Sequence, residues 1–175
     1  MSELEAPAVV GDGALSEVRV DEAGAVTSLR VTALVAPKAP PLWFAELSKP
    51  DATPSSEHLV AFSGHGIEPG RLVNREQLRE ISVKSADQVG ALQWYPVTGE
   101  IVQVYVAPDW RRHHISIGVI MAGGALHLAR GNTPRLGGDG QRTALGDRMV
   151  KGAQWTHRVD PLTNLSPPMT PYDQR

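Results

Sequence analysis

Apolar residues recur along this chain with two different periods. From Leu15 onward, Val18 and Val20 alternate with polar neighbours, Asp21-Glu22-Ala23-Gly24 supplies turn chemistry, and Val26, Leu29, Val31 and Leu34 follow, which predicts a hairpin. Residues 36–54 carry five prolines around Leu42-Trp43-Phe44; the expectation there is a short helical turn flanked by loop, with the Trp-Phe pair packed on the core. Glu57 to Phe62 reads as a short strand ended by Ser63-Gly64-His65-Gly66. Asn74 followed by Gln77 has the form of a capping box opening a short helix through Glu80, after which Ile81 to Lys84 begins extended structure. Val89 to Tyr95 and Ile101 to Val106 are rich in β-branched and aromatic residues and are separated by Pro96-Val97-Thr98-Gly99, a second hairpin. The period then changes. Ile115, Val119, Ala122, Leu126 and Ala129 fall on one helical face, and Gly131-Asn132 supplies the stop. Gly123 and Gly124 weaken that helix by roughly 1 kcal/mol each relative to alanine, tolerable if they let another backbone approach.

These elements sum to a mixed α/β (α+β) chain with a mostly antiparallel sheet and a central helix. Its expected organisation is a loose leader over 1–13, a single domain over 14–152 and a proline-rich extended arm over 153–175. Composition narrows the chemistry. With no cysteine among 175 residues, thiolate nucleophiles, disulfides and Cys-ligated metals are excluded. A net charge of −2, from 17 basic and 19 acidic residues spread along the chain, shows no basic footprint for nucleic acid. Met1 to Pro7 lacks the basic and apolar regions of a signal peptide, and no apolar run is long enough to span a bilayer, so the expectation is a soluble cytoplasmic chain without a membrane partner.

Candidate chemistry concentrates where the second hairpin meets the helix. A strand, a sharp turn and a helix in that order place backbone N–H groups and the positive helix end beside the strand, a geometry that binds phosphates. Here the turn is Asp109-Trp110-Arg111-Arg112-His113-His114-Ile115-Ser116, with two arginines and two histidines around the helix start. Other patterns are weaker. Ser63 and His65 sit on a glycine-rich turn and do not form a nucleophile elbow. His113, His114 and Asp109 lack metal-ligand spacing, so no metal site is expected. Leu136 to Gln141 is glycine-rich without the Lys-Ser/Thr ending of a phosphate loop.

The run Val104-Tyr105-Val106-Ala107-Pro108-Asp109-Trp110-Arg111-Arg112-His113-His114-Ile115-Ser116 resembles the acyl-CoA segment of the GNAT family of N-acetyltransferases. Gln141-Arg142-Thr143-Ala144-Leu145-Gly146-Asp147 is similar to a segment after the central helix in short acetyltransferase-like proteins of actinobacteria and their phages. The resemblance covers roughly residues 78–152. It implies a GNAT-like fold and acetyl-CoA as cofactor. The backbone of Val104 and Val106 would pair with the pantetheine arm, and Arg111, Arg112, His113, His114, Ile115 and Ser116 would hold the pyrophosphate. It also implies a carboxylate base and a thioester-side tyrosine, for which Glu100 and Tyr105 are the candidates. His114 and Ser116 stand where the family carries glycine. From this follow two readings: an acyl-CoA-dependent N-acetyltransferase with an altered pyrophosphate loop, or a catalytically degenerate GNAT-like module serving as a structural subunit of a large assembly such as a phage virion. In the second reading Trp155, Leu162, Leu165, Met169 and Tyr172 of the arm, together with the leader, supply contacts to partner chains.

Overall fold

Val18 and Leu29 face each other across the first hairpin, β1 (Ser16–Val20) and β2 (Val26–Val31), and both are almost fully buried. Asp21 closes its turn: one carboxylate oxygen accepts the N–H groups of Ala23 at 3.0 Å and Ala25 at 2.9 Å. The computed structural model of the chain describes residues 16–133, 135–138, 141–142, 148 and 164–165. The expected leader, and the arm apart from Asn164 and Leu165, lie outside the described residues.

Residues 42–44 are not a helical turn. Leu42–Glu46 form β3, in antiparallel register with β4 (Glu57–Ser63), with Trp43 opposite Phe62. The strand escaped the pattern because it is buried on both faces, so it shows no alternation. Leu42 and Phe44 enter one core while Trp43 and Ala45 enter a second on the other face, where the Trp43 and Phe62 rings stack at 4.6 Å. The five prolines bracket this strand instead of shaping it.

Next come β5 (Leu72–Val73), α1 (Arg75–Glu80), β6 (Gly90–Tyr95), β7 (Glu100–Val106) and α2 (Ile115–Ala129). The main sheet has the order β5-β3-β4-β6-β7, antiparallel except for the short β3–β5 pair, so the α+β class and mostly antiparallel sheet stand. Asn74 and Gln77 form both bonds of the expected capping box, each at 2.9 Å. Gln141–Arg142 (β8) and Asn164–Leu165 (β9) pair in parallel, which places part of the expected arm in a strand.

The α2 helix lies between two layers. Ile115, Val119, Ala122 and Leu126 are buried on the sequence-predicted face, and Gly118, Ile120, Gly123, Ala125 and His127 are buried as well. The hairpin β1–β2 covers the side that the sheet leaves open, placing Val18 and Leu29 in the same core as Leu92, Trp94 and Leu126. At that depth His127 has a partner: the Trp94 indole N–H donates to its Nδ1 at 3.2 Å. At the helix end Arg130 bridges two strands, reaching Glu46 on β3 at 2.6 Å and Glu57 on β4 at 3.1 Å, and the single Ser48 hydroxyl lies within hydrogen-bond reach of both carboxylates. Burial opposes the Arg130 charge, but its hydrogen bond and attraction to Glu46, with help from Glu57, raise its pKa above the ordinary value.

The two central glycines of α2 are unlike. A Cβ on Gly123 would collide with the buried Leu92 side chain, whereas one on Gly124 would meet nothing within 4 Å. Gly124→Ala is therefore expected to stabilise the fold by about 1 kcal/mol through helix propensity. Gly123→Ala is expected to destabilise it by about 1–3 kcal/mol through overpacking. Urea unfolding of the two variants reads the opposite signs. Arg130→Met leaves Glu46 and Glu57 without their shared cation and is expected to cost about 1.5–3 kcal/mol in the same measurement.

Candidate functional site

The β7 strand is the last of the sheet. At its start Ile101 N–H donates to Gly137 O at 2.7 Å and Gly137 N–H donates to Gly99 O at 2.9 Å, a single parallel bridge at Glu100. Beyond Ile101 no described residue pairs with the outer edge. Ala107 N–H donates inward to Val89 O at 3.0 Å, and Gly90 through Gln93 lie opposite Val106 through Gln103. Because hydrogen-bonding direction alternates along a strand, Gln103 and Tyr105 bond toward β6 while Val104 and Val106 turn N–H and C=O to the open side.

That edge leads directly into the helix start. Pro108–Trp110 make one turn of 3-10 helix, and the chain then passes through two left-handed residues, Arg112 at φ 66° and His114 at φ 58°. Each such conformation costs a non-glycine residue on the order of 1–3 kcal/mol, so the surrounding contacts must hold it. Several do. The His113 Nδ1 lies 2.9 Å from Arg111 O and its ring stands edge-on to Trp110, which packs against the core. The His114 imidazole reaches the proline-rich loop, where Nδ1 accepts the Lys38 N–H at 3.4 Å. Ile115 is buried over Gly90, where a Cβ would come within 2.5 Å of its Cγ2.

Gly118 is the first residue of α2 whose N–H bonds into the helix, to His114 O at 3.0 Å. The N–H groups of Ile115, Ser116 and Ile117 have no acceptor among the described residues, and no side chain caps them. Arg112 is exposed and Arg111 half-buried beside them. All the sequence-predicted cofactor residues therefore fall on one continuous track, with Val104 and Val106 along the edge and residues 111–116 at its end.

Tyr105 faces away from α2 and lines a cleft of about 380 Å³ on the opposite sheet face. Glu100 is not brought to it. It begins β7, five residues before Tyr105, and an extended strand places it about 17 Å away. Ser63 and His65 are also kept apart: the Ser63 hydroxyl donates to Pro41 O, while His65 packs edge-on to Trp43 and Phe62. Among the described residues no group of three or more His, Asp or Glu is placed to hold a metal, and no helix is long and apolar enough to cross a membrane.

Sequence reading missed the rest of the cleft. His58, Gln93 and Gln103 form one cross-strand row and Val60, Ala91 and Tyr105 the next, from the registers of β4, β6 and β7. The signal was the polar half of each alternating strand, meaningful only once the pairing is known. His58 Nε2 lies 2.9 Å from the Ser56 hydroxyl, and burial, followed by the nearby Lys49 charge, lowers its pKa below the ordinary imidazole value. Family models, curated proteins and solved structures were compared with the chain, and none matches.

The lowered pKa of His58 has a signed consequence. In the unfolded chain its imidazole takes a proton near pH 6.5, and in the folded chain only at lower pH. Unfolding thus binds a proton in that window, so stability is full above about pH 6.5 and falls as the pH drops toward the folded value. His58→Gln is expected to flatten this slope, read as the urea midpoint between pH 5 and 7.

Proposed function

We propose that this protein is an acyl-CoA-dependent N-acetyltransferase of GNAT-like architecture whose pyrophosphate loop has been rebuilt around His114. The observation that carries the reading is the track from the β7 edge at Val104 and Val106 to the first-turn amides of α2, none of which has a partner among the described residues. An acyl-pantetheine is a chain of amides, and the outward N–H and C=O groups of Val104 and Val106 offer it the pairing an added strand would have. A pyrophosphate at its far end meets the N–H groups of Ile115 to Ile117, the positive helix end and the Arg111 and Arg112 side chains.

His114 is compatible with this role in its observed conformation. It adopts the left-handed backbone that glycine would favour, and its ring is drawn toward Lys38. The chemistry asked of the chain is chiefly positioning. The acceptor amine attacks the thioester carbonyl carbon, the C–N bond forms, the C–S bond breaks, and the proton lost by the amine is balanced by one gained at sulfur. Tyr105 lies on the edge strand and lines the cleft, which supports a thioester-side role for it. Glu100 has no part in this step.

Calorimetric titration with acetyl-CoA tests the reading. Saturable binding is expected, weakened about tenfold by Val104→Pro, which removes one outward N–H from an edge strand without touching a bond to β6. Arg112→Ala is expected to weaken it several-fold. Absence of binding at 1 mM acetyl-CoA, about the weak limit of useful cofactor affinity, would sink the enzyme reading and leave the interaction-module reading in its place.

A further inference from the structure

A second pocket lies on the α2 side of the sheet and shares no lining residue with the Tyr105 cleft or the β7 track. It holds about 270 Å³ and is bounded by β2, the proline-rich loop that leads into β3, β3 itself, the Pro69-Gly70 turn and α2 at Gly118. Leu29, Leu42 and Phe44 supply a buried floor. The prolines of the loop bring apolar ring surface and no N–H donor to the wall. Such a lining accepts a hydrocarbon tail and leaves its orientation to whatever polar group stands beside it.

The charged side chain in the lining is Arg30. Its stem crosses Gly70 so closely that a Cβ there would come within 2.5 Å of the Arg30 Cγ. The side chain is 41% exposed, so the guanidinium stands at the mouth of the pocket while the floor is buried. Its Nη2 donates to Glu68 Oε1 at 2.9 Å, and its Nε is buried with no acceptor among the described residues. The Nε and Nη2 hydrogens of a guanidinium form a parallel fork that one carboxylate can take whole. Glu68 takes half of it, from a side chain that is itself 69% exposed, and an ion pair of that kind is weak. Lys38, between the lining residues Pro37 and Ala39, adds a second exposed cation to the loop.

An apolar floor with a half-satisfied guanidinium at its mouth matches an amphiphilic anion. We infer that this pocket binds a small monocarboxylate of the fatty-acid class, its hydrocarbon tail against Leu29, Leu42 and Phe44 and its carboxylate on the Nε and Nη2 of Arg30 in place of Glu68. The volume, just under the lower limit of about 300 Å³ for small-molecule sites, restricts the tail to medium length. The site stands apart from the acetyltransferase reading, because no residue of the β7 track lines it.

Saturation-transfer NMR on the full chain, titrated with octanoate below its micelle concentration, tests it, with octylamine, octanamide and acetate as matched probes. Octanoate is expected to bind saturably. Octylamine, with the same tail and the opposite charge, is expected not to compete, and acetate, with the head and no tail, is expected not to bind. Octanamide is expected to bind about tenfold more weakly than octanoate, the effect of losing a charge-assisted hydrogen bond, and Arg30→Gln to weaken octanoate by a similar factor. Glu68→Gln removes the competing carboxylate and is expected to strengthen octanoate about two- to fivefold. Octanoate uptake that does not saturate, octylamine or acetate binding as well as octanoate does, or octanoate binding left unchanged by either variant overturns the proposal. Octanoate binding without acetyl-CoA binding keeps this site and removes the acetyltransferase reading; acetyl-CoA binding without octanoate binding does the reverse.

Discussion

The contact between α2 and the sheet depends on small residues at two points, and the rest of the structure is arranged around it. Gly90 under Ile115 and Gly123 over Leu92 are places where a single added carbon would be within 2.5 Å of a neighbour. They let the helix settle onto β6 along its length. Each buried Leu, Ile or Val that this closeness permits is worth about 1.5–3 kcal/mol of transfer free energy. The hairpin β1–β2 completes the burial from the other side, so the helix is held as a middle layer. An apolar surface on two sides would be costly in water, which makes the hairpin a condition of the helix and not an appendage to it.

The same contact positions the candidate cofactor track. Because Ile115 is seated over Gly90, the first turn of α2 begins at the end of β7, and the chain must reverse within residues 107–114. Two non-glycine residues accept left-handed backbone to do so. That strain is sustained by the burial of Ile115 and by local contacts of Trp110, His113 and His114. A helix start without a capping side chain, beside a strand edge without a partner among the described residues, leaves polar backbone groups directed to one common region. Such groups are satisfied by water or by a ligand.

The two faces of the sheet have different tasks. One carries the large core beneath α2. The other carries a smaller core centred on β3 and β4, where Trp43, Val60 and Phe62 pack with Leu78 of α1, and gains the polar Gln93 and Gln103 toward β7. The ion cluster of Arg130 with Glu46 and Glu57 ties the C-terminal end of α2 to the strands β3 and β4, so both ends of the helix are fixed to the sheet that carries the cleft. Pairwise attraction of this kind is modest at partial exposure, and its value here is as much geometric as energetic.

Both hairpins, the capping box at Asn74, the long helix and its glycine stop were legible in the residues themselves, because each is set by neighbours a few positions apart: alternation, turn chemistry, a 3.6-residue period. The strand at Leu42–Glu46 was not, since burial on two faces removes the alternation that marks a strand, and only pairing with β4 reveals it. Of the candidate site, the linear track from Val104 to Ser116 could be read directly because it is continuous in sequence. The separation of Glu100 from Tyr105 needed only strand geometry, yet the cleft needed the registers of three strands to bring His58, Gln93 and Gln103 into one row. Local periodicity therefore determined the elements. The tertiary structure decided which polar positions face each other, because strand register is set by long-range burial that no local pattern encodes.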